Sequence, residues 1–215
     1  MEEYSTLIQT IALTMGVAWA SGINLYGTLL ALGIMSNTGY IELPADLQII
    51  GDPLVLAAAG LMYGVEFFAD KVPGVDTGWD TLHTFVRIPA GALLAAGAIG
   101  DVTPAAEMAA AIVGGSLAAG THFTKAGSRV MINTSPEPVS NWTASIMEDI
   151  AVFTGLWAAI AHPYVFVGLL VVFILLMIWL LPKLWRGIKR VLNFFINLFG
   201  NKSNSSAETK LPVNK

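Results

Sequence analysis

The chain has 215 residues, of which 55% are hydrophobic and only 12% are charged, and its mean hydropathy is +0.67. Soluble globular domains carry roughly 25% charged residues, so this composition argues against an ordinary water-soluble domain. The absence of cysteine excludes disulfide frameworks and thiolate metal sites. The composition predicts an all-α fold, a polytopic transmembrane helical bundle.

Six membrane spans are predicted in chain order, because a span needs about 20 apolar residues to cross about 30 Å of hydrocarbon. They cover residues 7–35, 53–70, 82–100, 105–123, 145–161 and 164–181. The first is long for one helix and contains Gly22 and Asn24, so a break is expected there; a full turn at the break would give seven elements. The acidic start of the chain lacks the basic region of a secretory signal, so the first span is predicted to be retained.

Lysine and arginine residues in short connections predict the orientation of the bundle. The second and fourth connections and the segment after the last span are flanked by or contain such residues, whereas the first, third and fifth connections contain none. The basic residues are Lys71, Arg87, Lys125, Arg129, Lys183, Arg186, Lys189 and Arg190. The even connections and the C-terminus are therefore predicted to face the cytoplasm, and a six-span count places the N-terminus on the same side.

Residues 1–182 are predicted to form the transmembrane domain, followed by an amphipathic helix at the membrane surface over residues 183–199. Apolar residues recur on one face of this segment, a pattern typical of binding to an anionic leaflet. These residues are Leu184, Ile188, Val191, Phe195 and Phe199. Membrane lipids are the predicted partners, and the polar residues 200–215 are predicted to form a disordered tail.

A weak internal repeat runs through the transmembrane domain. Three pairs of similar segments recur in the same order: 27–33 with 91–97, 64–67 with 120–123, and 73–79 with 136–142. They predict a tandem duplication of a helical hairpin, with parallel halves at about 16–80 and 81–149, and duplicated halves are common in transporters. The alternative is chance similarity among segments rich in Gly, Ala and Leu.

Several charged residues are predicted to lie at hydrocarbon depth, because the uncharged runs between them are short. Only 13 residues separate Arg87 from Asp101, and 12 separate Asp149 from His162. At about 1.5 Å per residue these runs cover roughly 18–20 Å, about 10 Å less than the hydrocarbon thickness. A charge at a span centre costs roughly 2.5–3.5 kcal/mol on insertion scales, so these residues are expected to pair or to line water.

Glu66 and His122 are the first candidates for a binding site, since they occupy equivalent positions in the repeat and would face each other in a pseudo-symmetric fold. Carboxylate and imidazole groups suit protons or divalent cations. No catalytic residue is predicted and the sequence requires no cofactor, but Glu66 and His122 are the candidate ligands if a divalent cation binds. The predicted substrate or ion site also contains Asp70, Glu148, Asp149, Arg87 and Asn24, with Lys125 and Arg129 as candidate contacts for phosphate or another anion.

Each of these side chains also has a structural interpretation, in which buried ion pairs hold the helices together. Asn24 either hydrogen-bonds across helices or marks an unwound binding segment, and the sequence favours neither. Gly60 and Gly64 form a Gly-x-x-x-Gly motif that fits close helix packing within the chain or in a homo-oligomer.

Familiar enzyme motifs are absent from the sequence. It contains no phosphate-binding Gly-x-x-x-x-Gly-Lys loop, no His-Glu-x-x-His and no Gly-x-Ser-x-Gly. A non-enzymatic protein is therefore favoured over an enzyme, and no nucleic-acid partner is expected.

A set of polar segments carries a resemblance to a known family. The segments are residues 21–26, 66–76, 124–129 and 133–138, together with Glu148 and Asp149. They resemble the bacterial integral membrane family called domain of unknown function 4126, over about residues 16–181. The resemblance implies a multi-pass membrane protein, expected in the cell inner membrane with its C-terminus in the cytoplasm. It implies no activity, substrate or catalytic residue.

Three functions are compatible with these features. The first is a transporter or channel for a small ion or solute, with carboxylates and histidine as its polar site on the cytoplasmic side. The second is a non-catalytic membrane scaffold or assembly protein, in which the charges staple helices together. The third is a membrane-embedded enzyme or flippase that grips a lipid phosphate with Arg87, Lys125, Arg129 and His122.

Overall fold

The computed structural model describes residues 2–72, 74–134 and 138–205, and the regular structure within these ranges is entirely helical. It contains seven α-helices, with a 3-10 helix over Ala45–Gly51 between the second and the third. The α-helices are α1 (Glu2–Ile23), α2 (Leu25–Asn37), α3 (Pro53–Ala69), α4 (Val75–Ala98), α5 (Pro104–Ile132), α6 (Pro138–Ala161) and α7 (Pro163–Ser205). The prediction of an all-α helical bundle is confirmed.

The first predicted span is two helices, α1 and α2, separated by Asn24. The backbone of Asn24 is extended (φ −144°, ψ 98°), and its side-chain Oδ1 accepts a hydrogen bond from the backbone N–H of Gly27 at 2.8 Å. In an uninterrupted helix that N–H would bond to the carbonyl of Ile23. The side chain of Asn24 therefore replaces a backbone carbonyl and caps α2. The break that the sequence indicates is present, and this residue forms it.

Helix α2 packs antiparallel to α3, since Leu30 lies against Gly60 and Gly33 lies against Leu56. The chain therefore reverses direction at the break, and α2 leads away from the place where α1 and α3 end. A count of seven elements, rather than six, describes the helices.

The helices alternate in direction along the bundle, whose two ends are named here the Lys71 end and the Asp101 end. Helices α1, α3, α5 and α7 run towards the Lys71 end, and α2, α4 and α6 run away from it. Glu3 lies near Val102 at the Asp101 end, whereas Gly187 of α7 lies against Met131 near the other end. The termini therefore lie at opposite ends of the bundle, and the expectation that they share a side is wrong because it counted α1 and α2 as one span.

Glycine and alanine allow α1, α4 and α5 to approach closely. A Cβ atom on Gly91 would overlap with the methyl group of Ala118, and one on Gly114 would overlap with that of Ala95. The predicted Gly-x-x-x-Gly motif behaves differently. A Cβ on Gly64 would meet no atom within 4 Å, and one on Gly60 would meet only Leu30, at 3.8 Å. Close packing within this chain therefore uses other glycines.

The Gly114→Ala variant is expected to be less stable than the wild type by about 1–3 kcal/mol, because the added methyl group must displace α4. Urea unfolding of the detergent-solubilised protein, followed by circular dichroism, measures the loss. The matched control is Gly64→Ala, which adds the same methyl group in open space inside α3 and should raise stability by about 0.5–1 kcal/mol, the usual gain in helix propensity. Equal stability of the two variants would contradict the close contact of α4 and α5.

The bundle places charged groups inside and large apolar groups outside near the Lys71 end. On α4, Asp80, His83 and Arg87 are buried, whereas Phe85 is 81% exposed and Leu82 is 69% exposed. In water the apolar groups would turn inward. An apolar exterior explains the observed arrangement, because a lipid environment accepts the aromatic and aliphatic groups and excludes the charges.

Three helices are individually long and apolar enough to cross a membrane: Glu3–Ile23, Val139–Ala161 and Pro163–Arg190. The 3-10 helix and α3 meet at 67° and satisfy the same criterion only as a pair. These apolar helices, together with the inverted distribution of charge, identify a membrane protein.

Helix α7 continues through the segment predicted to be a separate surface helix and ends at Ser205. Part of the apolar face of that segment contacts α5, since Leu184 lies against Gly127. The side chains of Val191, Phe195 and Phe199 lie outside the described part of the structure. Of the segment predicted to be disordered, residues 200–205 belong to the helix, and residues 206–215 are outside the described ranges.

Candidate functional site

Seven charged side chains form a buried cluster near the Lys71 end, here called the charge network. Six of them are buried and Glu148 is 20% exposed, and each lies within 4.0 Å of an opposite charge. They belong to α3, α4, α5, α6 and the turn after α3, so the network connects four helices. Its members are Glu66, Asp70, Asp80, Arg87, Lys125, Arg129 and Glu148.

Arg87 connects the two residues that the repeat singled out. Its guanidinium donates to Glu66 Oε1 at 2.6 Å, to Asp80 Oδ1 at 3.0 Å and to His122 Nδ1 at 3.2 Å. Because a guanidinium only donates, Nδ1 of His122 must accept, and the ring is neutral with its proton on Nε2. That nitrogen donates to Thr84 Oγ1 at 2.8 Å. Glu66 and His122 are thus brought together through Arg87.

Five oxygen atoms surround the Lys125 ammonium group, and they are here called the oxygen cage. Four come from carboxylates of the charge network and one is a backbone carbonyl. Such a shell satisfies a fully buried ammonium, which would otherwise be costly to desolvate. The distances from Nζ are 2.8 Å to Asp70 Oδ2, 3.2 Å to Ile23 O, 3.4 Å to Glu66 Oε1, 3.5 Å to Glu148 Oε2 and 3.7 Å to Asp80 Oδ1.

The carbonyl in the oxygen cage is available because of the helix break. In a regular helix the carbonyl of Ile23 would accept from the N–H of Gly27. Asn24 Oδ1 takes over that N–H, and Ile23 O accepts from Lys125 Nζ instead. The break between α1 and α2 therefore delivers a backbone oxygen to a buried cation.

Arg129 holds α5, α6 and the turn after α3 together. Its guanidinium makes two bonds to the carboxylate of Glu148, at 2.7 and 3.1 Å. It also donates to the carbonyls of Asp70 and Asn141, at 3.1 and 3.0 Å. The two parallel bonds to a carboxylate are the arrangement in which arginine binds most strongly.

Asn24 and Asp149 meet beside the network. Asn24 Nδ2 donates to Asp149 Oδ1 at 3.0 Å. The amide of Asn24 therefore fulfils both alternatives that the sequence left open. It hydrogen-bonds to a residue of α6, and it forms the break between α1 and α2.

The charges of the network do not balance. Three cations face four carboxylates, so the fully ionised network has one negative charge in excess. Three of these carboxyl groups also have a second oxygen that is buried and has no hydrogen-bond partner among the described residues: Glu66 Oε2, Asp70 Oδ1 and Asp80 Oδ2. Carboxylate groups of this kind have unused capacity to bind a cation or a proton.

A cavity of about 250 Å³ adjoins the network between α1, α5, α6 and α7. Lys125 and Glu148 line it, together with the hydroxyl-bearing side chains of Thr121, Thr124 and Ser128. Both threonine hydroxyls donate to backbone carbonyls of their own helix, so each has lone pairs left for a cation. The cavity therefore brings a few hydroxyl groups and an otherwise apolar wall next to Lys125 and Glu148 of the network.

The arrangement of Glu66 and His122 does not resemble a metal site. Within the described residues, no group of three or more His, Asp and Glu side chains is placed to hold a metal ion. Both nitrogens of His122 are engaged, by Arg87 and by Thr84. Binding of a divalent cation there would require the pair to separate from Arg87.

Sequence reasoning missed part of the polar cluster. Asp80 was left out of the predicted site, yet it contacts Arg87 and lies at the cage. Asn133 donates to both carboxylate oxygens of Asp76 and accepts from Asn141, which extends the cluster towards Arg129. The i, i+7 spacing of Asp80 and Arg87 on one helix face was the available signal.

The Asn24→Ala variant is expected to lose about 1–2 kcal/mol of stability, because α2 loses its N-cap and Asp149 loses a donor. Chemical unfolding in detergent measures this loss. Asn37→Ala is the matched control at the other end of α2, where the amide makes one exposed hydrogen bond to Gly51. A smaller loss in Asn24→Ala than in Asn37→Ala would contradict the capping role.

The comparisons with known proteins give one match. The sequence profile of the family described as Domain of unknown function (DUF4126) matches residues 11–183. The curated proteins contain no match, and neither do the solved structures. The family profile covers most of the chain and includes the break, the charge network and the apolar part of α7. The chain belongs to the DUF4126 family.

Proposed function

We propose that this protein transports a small cation, protons included, and that the oxygen cage within the charge network is its binding site. One observation carries the proposal: at a helix break, a cage of carboxylate and carbonyl oxygens holds a cation, the Lys125 ammonium, beside a cavity. Broken helices whose freed carbonyls coordinate cations are a recurrent feature of membrane transporters.

The proposal includes a membrane arrangement in which all the helices from α3 to α7 cross the bilayer together with α1, and the shorter α2 returns beside them. Its support is the apolar outer face of α3 and α4, where Leu61 and Phe85 are exposed while the charges are enclosed. In this proposal the membrane is the cell inner membrane and the Lys71 end faces the cytoplasm, which the basic residues after the last span support.

The depth of the network follows from its register with α7. Met177 lies against Gly120 and Leu184 against Gly127, so His122 and Lys125 are level with the end of the uncharged run 163–182. At about 1.5 Å per residue that run is about 30 Å long, the hydrocarbon thickness. We therefore place the network at the cytoplasmic border of the hydrocarbon.

The tandem duplication is part of the same proposal. The hairpin of α2 and α3 and the hairpin of α4 and α5 run in matching directions, which supports a parallel repeat. Glu66 lies three residues before the end of α3 and His122 ten residues before the end of α5, and both helices run towards the Lys71 end. Both residues are hydrogen-bonded to Arg87.

The second candidate function is the non-catalytic scaffold. Its support is the completeness of the ion pairing, since every member of the network contacts an opposite charge. The same pairing weighs against a lipid-phosphate enzyme or flippase, because Arg87, Lys125 and Arg129 are all engaged by carboxylates. A phosphate would have to displace them.

Flux into proteoliposomes tests the proposed function. Purified protein is reconstituted, and a pH-sensitive dye and cation-sensitive dyes report the movement of H⁺, Li⁺, Na⁺ and K⁺. We expect wild-type flux of at least one of these cations above that of empty liposomes. The Glu66→Gln variant should lose it across a pH series, because a neutral amide cannot balance the charge of a bound cation.

The matched control is Glu107→Gln, which makes the same change on an exposed residue at the Asp101 end and should transport normally. Gel filtration and thermal unfolding show whether each variant is folded. Wild-type flux by a folded Glu66→Gln variant, or the absence of flux of any of these cations in the wild type, would overturn the proposal.

A further inference from the structure

We propose that the oxygen cage is a binding site for a small monovalent cation, and that the Lys125 ammonium is a tethered competitor that leaves the cage when this cation enters. The inference rests on the proposed function and names both the substrate class and the residue with which the substrate competes.

The geometry of the cage indicates the substrate class. Its oxygens lie 2.8–3.7 Å from Nζ, whereas Mg²⁺ and Ca²⁺ bind oxygen at about 2.0–2.6 Å. Exchange of the ammonium for a monovalent ion also leaves the charge of the network unchanged. A cation similar in size to ammonium, such as K⁺ or NH₄⁺, therefore matches the position that the ammonium leaves. While Lys125 occupies that position, the described carboxylates do not converge closely enough to hold a metal ion.

The carboxylates alone would not establish a site, but two further observations point to a cation ligand. The cage already holds a cationic group, bonded to a carbonyl that the helix break releases. Glu66, Asp70 and Asp80 each keep one buried carboxylate oxygen without a partner among the described residues, and all three are at least nine-tenths buried. These are the second oxygens of carboxyl groups whose first oxygens contact the Lys125 ammonium, so three of the four carboxyl groups of the cage keep one unused acceptor atom.

The cavity beside the cage can accommodate the displaced ammonium of Lys125. Lys125 places its ammonium in the cage, and Glu148 contributes one of the cage oxygens. Both residues also line the adjoining cavity of about 250 Å³. The side chains of Thr121, Thr124 and Ser128 line the same cavity and offer oxygen acceptors to the displaced ammonium. A rotation of the four-carbon stem of Lys125, without movement of a helix, would transfer the charge from the cage to the cavity.

Removal of the tethered competitor should expose the site. In detergent, the melting temperature of the Lys125→Ala variant is measured in KCl, NH₄Cl, NaCl and MgCl₂, with choline chloride at matched ionic strength. We expect K⁺ or NH₄⁺ to raise it by several degrees, at about tenfold lower concentration than in the wild type, since a ligand that binds the folded state stabilises it. No gain over choline, a gain with Mg²⁺ alone, or equal responses of variant and wild type would overturn the inference.

A measurement on the wild type decides the question if Lys125→Ala fails to fold. An amine-reactive reagent is applied with K⁺ or with choline, and mass spectrometry quantifies the modification of each lysine. We expect K⁺ to increase labelling of Lys125 severalfold, while labelling of the exposed Lys189 stays constant. Unchanged labelling of Lys125 in every monovalent cation would overturn the inference.

These outcomes separate the two proposals. Cation binding in detergent without flux in liposomes would support the cage and remove the transport function. Flux without any cation effect on Lys125 would support transport and place the cation elsewhere.

Discussion

The Arg87→Met variant is expected to lose about 3–5 kcal/mol of stability, the usual cost when one partner of a buried ion pair is removed. Arg87 is completely buried and bonds to Glu66, Asp80 and His122 at once. Methionine fills a similar volume but leaves two carboxylates without their principal cation. Denaturant unfolding in detergent, with circular dichroism as the readout, measures the loss.

Two further variants separate the lost charge from the lost volume. The double variant Glu66→Gln with Arg87→Met removes one carboxylate together with its partner, so it should recover part of the stability lost in the single variant. Arg186→Met makes the same replacement at an exposed residue of α7 and should leave stability nearly unchanged. A double variant that is no more stable than Arg87→Met would contradict a direct pairing of Glu66 with Arg87.

The amino-acid sequence predicts the features that follow from composition and local patterning. Long uncharged runs, above all residues 163–182 in the first half of α7, predict helices in a membrane. Gly22 and Asn24 predict a break in the first span, since an amide inside an apolar run competes with the backbone for hydrogen bonds. The short distance from Arg87 to Asp101 predicts charges enclosed within the bundle, and the structure places that arginine fully inside.

The direction of the chain after the break was not predictable in the same way. The extended backbone of Asn24 allows α2 either to continue in the direction of α1 or to run back antiparallel to it. The residues around Asn24 are compatible with both directions. The packing of Gly33 on Leu56 and of Leu30 on Gly60 selects the return, and these are contacts between segments far apart in sequence. The expectation that both ends of the chain lie at the same end of the bundle was wrong for this reason.

The ion-pair or hydrogen-bond partner of each charged residue could not be predicted from the sequence either. Helical spacing groups His83 with Arg87, but the partner of Arg87 on α5 is His122, and His83 instead accepts from Tyr26. The role of the Ile23 carbonyl has no side-chain signature. It depends on a bond between Asn24 and Gly27 and on the position of Lys125 across the helix interface.

A site for a mobile cation and a set of structural ion pairs make different demands on the same residues. In a structural ion pair each charge is matched by one partner, and no carboxylate oxygen is left without a hydrogen bond. The Glu148–Arg129 pair approaches this condition, with two parallel bonds. The cage around Lys125 does not. Its ammonium contacts four carboxylates, each of which also pairs with Arg87 or Arg129, and three of the four keep a buried oxygen without a hydrogen-bond partner among the described residues. We therefore expect the carboxylates around Lys125 to bind the cation and the pairing of Arg129 with Glu148 to stabilise the fold. Variants of Arg129 should then affect stability alone.

The Arg129→Met variant is accordingly expected to lose about 3–5 kcal/mol of stability, because Glu148 and two backbone carbonyls lose their donor. Arg129→Lys should recover only part of this loss, since an ammonium cannot make the two parallel bonds to a carboxylate. Arg186→Lys, on an exposed part of α7, is the matched control and should be neutral. The measurement is denaturant unfolding of all three variants, followed by cation flux for those that fold. Wild-type stability of Arg129→Lys would contradict the bidentate geometry, and loss of flux in a folded Arg129→Lys variant would contradict the division of roles within the network.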